Sequence, residues 1–145
     1  MARKQMSFLN TNLYGEIAMM KILLVENNVS FRALLKVTLH LQFPLTVIEE
    51  AADGNEVLEK VDSVHPNLIL IDIYLPRENS LMLIQKIKKD HPEIIIGILT
   101  SFDLREYREF AFKCGVNYFI AKGSWKEIEA LVKSISSDLD NHTSN

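Results

Sequence analysis

Asn67-Leu68-Ile69-Leu70-Ile71-Asp72-Ile73-Tyr74-Leu75-Pro76 is the stretch whose reading decides the fold. Large aliphatic side chains run without interruption into a carboxylate. Apolar character on both faces is the mark of a strand covered on both sides, as in a parallel sheet between helices. Pro66 and Pro76 bracket the run, and neither could donate to a ladder in mid-strand. Asp72 therefore falls where a central strand ends and the chain turns outward. In open α/β sheets that carboxyl edge is where ligands and chemistry collect. Taken alone, an Asp after a strand more often merely caps a loop or the next helix.

Outward from this strand, similar segments repeat in both directions. Lys21 to Glu26 is a second apolar run ending in an acid, followed by Asn27 and Asn28. A helix is predicted over 29–41, with Phe31, Leu34, Leu35 and Thr38 at helical spacing and Pro44 ending the pattern. A short strand is predicted over 45–50, then a turn at Asp53-Gly54 and a helix over 55–64 with Val57, Leu58, Val61 and Val64 on one face. After Asp72, residues 77–80 read as a loop. A helix over 81–90 follows, with Leu81, Ile84 and Ile87 inward.

Residues 93–100 form a third buried strand, ending in the hydroxyl of Thr100. Leu104, Tyr107, Phe110, Ala111 and Cys114 mark a helix stopped by Gly115. A strand over 117–121 runs into Lys122. Trp125, Ile128, Leu131, Val132, Ile135 and Leu139 line a last helix. Five strands alternating with five helices predict right-handed crossovers and a parallel sheet covered on both faces. The expected architecture is an α/β three-layer sandwich, flavodoxin-like (βα)5, with strand order 2-1-3-4-5. Residues 20–140 form the domain, 1–19 an N-terminal extension and 141–145 a polar tail. The pair Met19-Met20 before the first strand leaves open a translation start there.

Composition narrows the function. A chain of 145 residues with 48% hydrophobic and 24% charged residues is one ordinary globular domain. A net charge of −3 argues against sequence-independent nucleic-acid binding, which needs a basic face. Cys114 is the only cysteine, so no intrachain disulfide forms, and a small buried hydrophobe is its expected role. No run approaches the ~18 apolar residues of a membrane span, and a cytoplasmic location is expected. The four histidines, His40, His65, His91 and His142, fall near helix ends or in the tail, which disfavours a conventional hydrolase.

With strands 1, 3, 4 and 5 side by side, Glu26 and Asn27, Asp72, Thr100 and Lys122 converge at one edge. Each alone is common; the fourfold coincidence is not. At these residues the sequence resembles the receiver domains of two-component response regulators, over about residues 20–140. The resemblance lies in Leu23-Leu24-Val25-Glu26-Asn27-Asn28, Ile71 to Pro76, Leu99-Thr100-Ser101 and Gly115 to Lys122. It implies that Asp72 accepts a phosphoryl group from a histidine kinase or a histidine phosphotransfer protein. Lys122 would then pair with the phosphoryl oxygens, Thr100 would hydrogen-bond one of them, and Phe119 would occupy an aromatic switch position. Plain structural roles for Thr100, Lys122 and Phe119 compete with these.

The resemblance further implies Mg²⁺, held by Glu26, Asn27, Asp72 and the backbone carbonyl of Tyr74. The family usually has two acids after the first strand, and Asn27 is neutral. Since ~1.4 kcal/mol corresponds to a factor of ten, metal binding weakened by about tenfold to a thousandfold is expected. Glu26, one methylene longer than the usual Asp, could reach the ion directly or approach Lys122 and close the pocket without metal.

Other departures are Ser80, where a glycine is common and a left-handed backbone would be strained, and Gly123, which replaces a proline. Tyr74 and Phe102, two residues beyond Asp72 and Thr100, are bulky aromatics expected to screen an acyl phosphate and lengthen its life. Only residues 123–145 follow Lys122, so a stand-alone receiver is expected, acting by protein contact and with no enzymatic output. The face of helix 4, strand 5 and helix 5 offers Arg105, Tyr107, Arg108, Tyr118 and Trp125 to a downstream partner, with inward packing the commoner role for Trp125, and the family also allows a homodimer. The rival readings are a phosphorylation-independent pseudo-receiver, favoured by Asn27, and a nucleotide or flavin binder. The latter lacks a glycine-rich loop after the first strand.

Overall fold

A computed structural model describes residues 19–101 and 105–144. Five strands, β1 (Lys21–Val25), β2 (Val47–Ala51), β3 (Leu68–Asp72), β4 (Ile95–Thr100) and β5 (Tyr118–Ala121), form one sheet of order β2-β1-β3-β4-β5. All four pairings are parallel, with Val25 opposite Ile71, Asp72 opposite Leu99, and Thr100 opposite Ala121. The helices are α1 (Val29–Gln42), α2 (Gly54–Val64), α3 (Ser80–Asp90), α4 (Arg105–Lys113) and α5 (Trp125–Ser144).

Every residue of β3 is buried, as its unbroken apolar run predicts for the central strand. Its side chains divide by parity between two cores. Leu68 and Leu70 join Leu24, Leu35, Leu39, Leu131 and Val132 on the side of α1 and α5. Ile69 and Ile71 join Val25, Val57, Ile84, Ile98 and Phe119 on the side of α2, α3 and α4. The period of two is real but invisible in the sequence, because both faces demand aliphatic residues. At Gly97 a Cβ would lie 3.2 Å from Leu70 and 3.5 Å from Leu131, so the missing side chain brings α5 close to β4.

Local signals set the helix ends. Asn28, Asp53 and Asn79 cap α1, α2 and α3 through side-chain acceptors for the third residue onward. Gly115, at φ 106°, follows α4. Predicted bounds lie within one or two residues of those observed, with three corrections. Leu34 and Phe110 are more than half exposed, because α1 and α4 each turn a narrower stripe to the sheet than the apolar spacing implied. Helix α5 continues through residue 144, so residues 141–144 of the predicted tail form its last turn; no proline or glycine interrupts it. The left-handed residue in the loop after β3 is Arg77, at φ 61°, and Ser80 begins α3 without that strain. The predicted N-terminal extension up to residue 18, a possible turn within it, and Phe102 and Leu104 lie outside the described residues.

Candidate functional site

The site is built where β1 and β3 end, beside the point at which the strand order reverses. Glu26 follows β1 and is only 1% exposed. Its Oε2 accepts from the Asn28 backbone N–H at 2.9 Å, and Asn28 Oδ1 in turn accepts from the Phe31 N–H at 2.9 Å to cap α1. One short turn thus fixes both the acid and the helix start. Asp72, also buried, ends β3; its Oδ1 accepts from the Tyr74 N–H at 3.0 Å. Ser80 Oγ donates to the Asp72 carbonyl at 3.0 Å, and the Gly54 N–H donates to Glu78 Oε1 at 3.2 Å, tying the loop after β3 to its neighbours.

Lys122 joins the two acids. Its Nζ lies 2.8 Å from Glu26 Oε1 and donates to Asp72 Oδ2 at 3.0 Å. Glu26 Oε1 makes no well-directed hydrogen bond, so the shorter contact is an ion pair held by charge rather than by direction. The ammonium also stands 5.1 Å from the Phe31 ring centroid, a cation–π distance. Two carboxylates therefore share one ammonium. Burial pushes the Glu26 carboxyl above its ordinary value despite the pull of Lys122 and the Asn28 N–H, and the charge of Asp72 adds to the rise. Burial alone would lower the Lys122 ammonium, but the two carboxylates outweigh it and its pKa is raised.

The structure brings Glu26, Asp72 and Lys122 into contact and places buried Thr100 at the adjoining end of β4, where the Lys122 N–H donates to the Thr100 carbonyl at 2.9 Å. Asn27 is exposed beside them. The Lys122–Gly123 peptide is trans, one of the two outcomes left open by the missing proline. Phe119 is buried in the α2–α4 core, with the Arg108 guanidinium 5.8 Å from its ring. Tyr74 is half exposed and its ring meets Tyr107 edge-on at 6.3 Å. Of the residues expected on the α4–β5–α5 face, Arg105, Tyr107, Arg108 and Tyr118 are exposed there. Trp125 is not: it packs partly buried against the other core and lines a groove with Phe31, Leu34 and Lys122. Cys114 is buried as expected, which raises its thiol pKa.

Sequence reading missed Asn28, Phe31 and Ser80 as parts of the site. The Asn28–Phe31 spacing carried a legible capping signal; nothing local announced that Ser80 would reach back to Asp72.

The doubly wound sheet with paired acids, a hydroxyl and an ammonium at its switch point defines a flavodoxin-like α/β domain with an acidic pocket. The chain belongs to the response regulator receiver domain family, whose sequence model matches residues 22–136. Among curated relatives it is 34% identical to the oxygen regulatory protein NreC of Staphylococcus epidermidis, over 72% of this chain and 49% of that protein. A CheY-like receiver domain protein from Methanospirillum hungatei superposes with a TM-score of 0.73 at 24% identity, covering 86% of this chain and 99% of that one. A DNA-binding response regulator of the LuxR family from Staphylococcus aureus also gives 0.73, at 20% identity over 81% and 99%. At those identities both structures show the shared fold. The chain spans a quarter to a half of the length of the first curated relatives it matches.

Receiver domains are signalling domains of two-component systems that interact with histidine kinases and generally bind Mg²⁺ in their acidic pocket. Among the described residues no three His, Cys, Asp or Glu side chains cluster to hold a metal ion. The two buried carboxylates, Glu26 and Asp72, are hard oxygen donors of the kind Mg²⁺ takes together with several waters. They fit such an ion chemically, with little charge to spare.

Proposed function

We propose that this receiver accepts a phosphoryl group on Asp72 from a histidine kinase or histidine phosphotransfer protein and signals by protein–protein contact. The observation that carries the reading is the buried Asp72 carboxylate at the end of β3 with the Lys122 ammonium 3.0 Å from it. A carboxylate is a competent phosphoryl acceptor, and the transfer depends mainly on positioning and charge neutralisation. Asp72 attacks phosphorus as the bond to the donor imidazole breaks, and the phosphorylated side chain carries about −1.5 to −2 charge in place of −1. Lys122 neutralises part of that charge, and the Thr100 hydroxyl donates to a phosphoryl oxygen. Mg²⁺ held weakly by Glu26, Asn27, Asp72 and the Tyr74 carbonyl would neutralise the remainder.

Phe119, buried beneath Arg108, is the aromatic that follows Thr100 and transmits the change to the α4–β5–α5 face, where a downstream partner docks. The domain catalyses no reaction on another molecule; its only chemistry is self-phosphorylation from small donors and slow dephosphorylation, with Tyr74 screening the acyl phosphate. The net charge of −3 supports no nucleic-acid contact by the domain itself. DNA contact, as the description of the LuxR-family neighbour gives for that protein, would belong to a partner or a further domain. No helix among the described residues is long and apolar enough to cross a membrane, and we place the domain in the cytoplasm, where its kinase partners present their phosphohistidine.

Asn27 favours a second reading, a pseudo-receiver that binds its partner constitutively. Incubation with acetyl phosphate and Mg²⁺, followed by intact mass measurement, separates the two. The proposed function expects a gain of one phosphoryl group that Asp72→Asn abolishes. No gain at tens of millimolar Mg²⁺ would leave the pseudo-receiver.

A further inference from the structure

Glu26 is almost wholly enclosed, yet its side chain reaches past the β1 edge to the ammonium that Asp72 already holds. We propose that Glu26 is a positioning residue that keeps Lys122 between the two acids, so that Lys122 and a divalent cation compete for Glu26 and Asp72. The proposal rests on the reading of these acids as the cation-facing groups of a receiver.

Four observations carry it. Every carboxylate oxygen of the pair already has a protein partner: Glu26 Oε1 and Asp72 Oδ2 meet Lys122, Glu26 Oε2 meets the Asn28 N–H, and Asp72 Oδ1 meets the Tyr74 N–H. An incoming ion must share these oxygens with the partners they already have, and Lys122 is the one partner that repels it. The charge sum of the two acids and one ammonium is −1, so a divalent ion added with Lys122 in place would leave the buried pocket positive. Asn27 brings no charge to offset this. The ammonium is also braced by the Phe31 ring at 5.1 Å, with the Lys122 side chain only 20% exposed, so its resting place is built rather than incidental.

Side-chain length is what makes Glu26 act this way. An aspartate would draw the carboxylate back by one carbon–carbon bond, about 1.5 Å. The 2.8 Å contact would then open to roughly the ~4 Å limit of an ion pair or beyond. Lys122 would be left with Asp72 alone, and the ion would have one held acid to contest instead of two. In the wild type the pocket thus rests with its own ammonium as counter-ion, and only a high concentration of divalent cation, or a partner that draws Lys122 aside, opens it.

The test uses the full chain without any phosphodonor. Mg²⁺ is titrated while Trp125 fluorescence, from the groove that Lys122 also lines, and the ¹⁵N signal of the Lys122 side-chain ammonium are followed. The expected result is that Mg²⁺ shifts the wild-type ammonium signal, and that Glu26→Asp binds Mg²⁺ at least fivefold more tightly. Lys122→Met, which removes the competitor by a separate route, also tightens binding at least fivefold, read by fluorescence. A Glu26→Asp variant whose Mg²⁺ affinity stays within fivefold of wild type, or binds more weakly, overturns the proposal. So does an ammonium signal unmoved by saturating Mg²⁺. A protein that passes this test but gains no mass with acetyl phosphate defeats the proposed function and leaves the competition standing.

Discussion

Two glutamates at the ends of neighbouring strands carry similar contacts and opposite consequences. Glu26 lies 2.8 Å from Lys122 and is buried; Glu50, on β2, lies 2.9 Å from both Arg32 and Lys36 with its side chain 33% exposed. The Glu50 carboxyl is held below its ordinary value by the hydrogen bond from Lys36, which with help from Arg32 outweighs the opposing effect of burial. The Glu26 carboxyl is raised. Contact distance does not decide the sign; the ratio of cations to acids and access to water do. At β2 two cations serve one acid in solvent. At the pocket one cation serves two acids, and burial charges the full cost of desolvation. The first arrangement stabilises the fold, whereas the second keeps an unbalanced negative charge ready for use.

The largest effect that could break this contrast is expected at Lys122. Lys122→Met leaves two buried carboxylates without their counter-ion and should cost about 3 kcal/mol at neutral pH, measured by urea unfolding. A loss under 1 kcal/mol would mean that the pocket is as forgiving as the surface.

Next comes Glu50→Gln, expected to cost at most about 1 kcal/mol because the site is solvated and screened. Since folding depresses the Glu50 pKa, its contribution is present above the unfolded value of 4.5 and fades as pH falls through the lower folded value. Salt at about 1 M should shrink it further, as the Debye length there is ~3 Å, while leaving most of the Lys122 effect in place.

The smallest change is expected at Glu26→Gln. Folding raises the Glu26 pKa, so the wild type loses stability as pH rises from 4.5 through the folded value, and the variant should lack that loss. Unfolding free energy at pH 7 within about 1 kcal/mol of wild type, or above it, sharpens the comparison, because removing an under-compensated buried charge is often neutral or stabilising. A loss comparable to that of Lys122→Met would sink it.

Much of this was legible in the chain itself. Apolar runs ending in Glu26, Asp72 and Thr100, Pro66 and Pro76 around β3, capping residues such as Asn28 and Asp53, and Gly115 after α4 are local signals, and local signals determined the elements and their alternation. Alternation in turn dictated a parallel sheet and placed the acids, Thr100 and Lys122 on one edge. What the sequence could not settle depends on distances between segments far apart in the chain. Whether Glu26 would face an ion or Lys122 was undecidable from spacing, because it turns on about one carbon–carbon bond of reach across 96 residues of chain. In the tertiary structure Glu26 Oε1 stands 2.8 Å from the Lys122 ammonium. The outward turn of Leu34 and Phe110, the packing of Trp125 against the α1 core, and the reach of Ser80 to Asp72 were decided there too. Helix periodicity specifies that a stripe exists, while only the neighbouring sheet fixes how wide a stripe it covers. The residues of the site were thus determined by sequence, and their mutual charge balance by the fold.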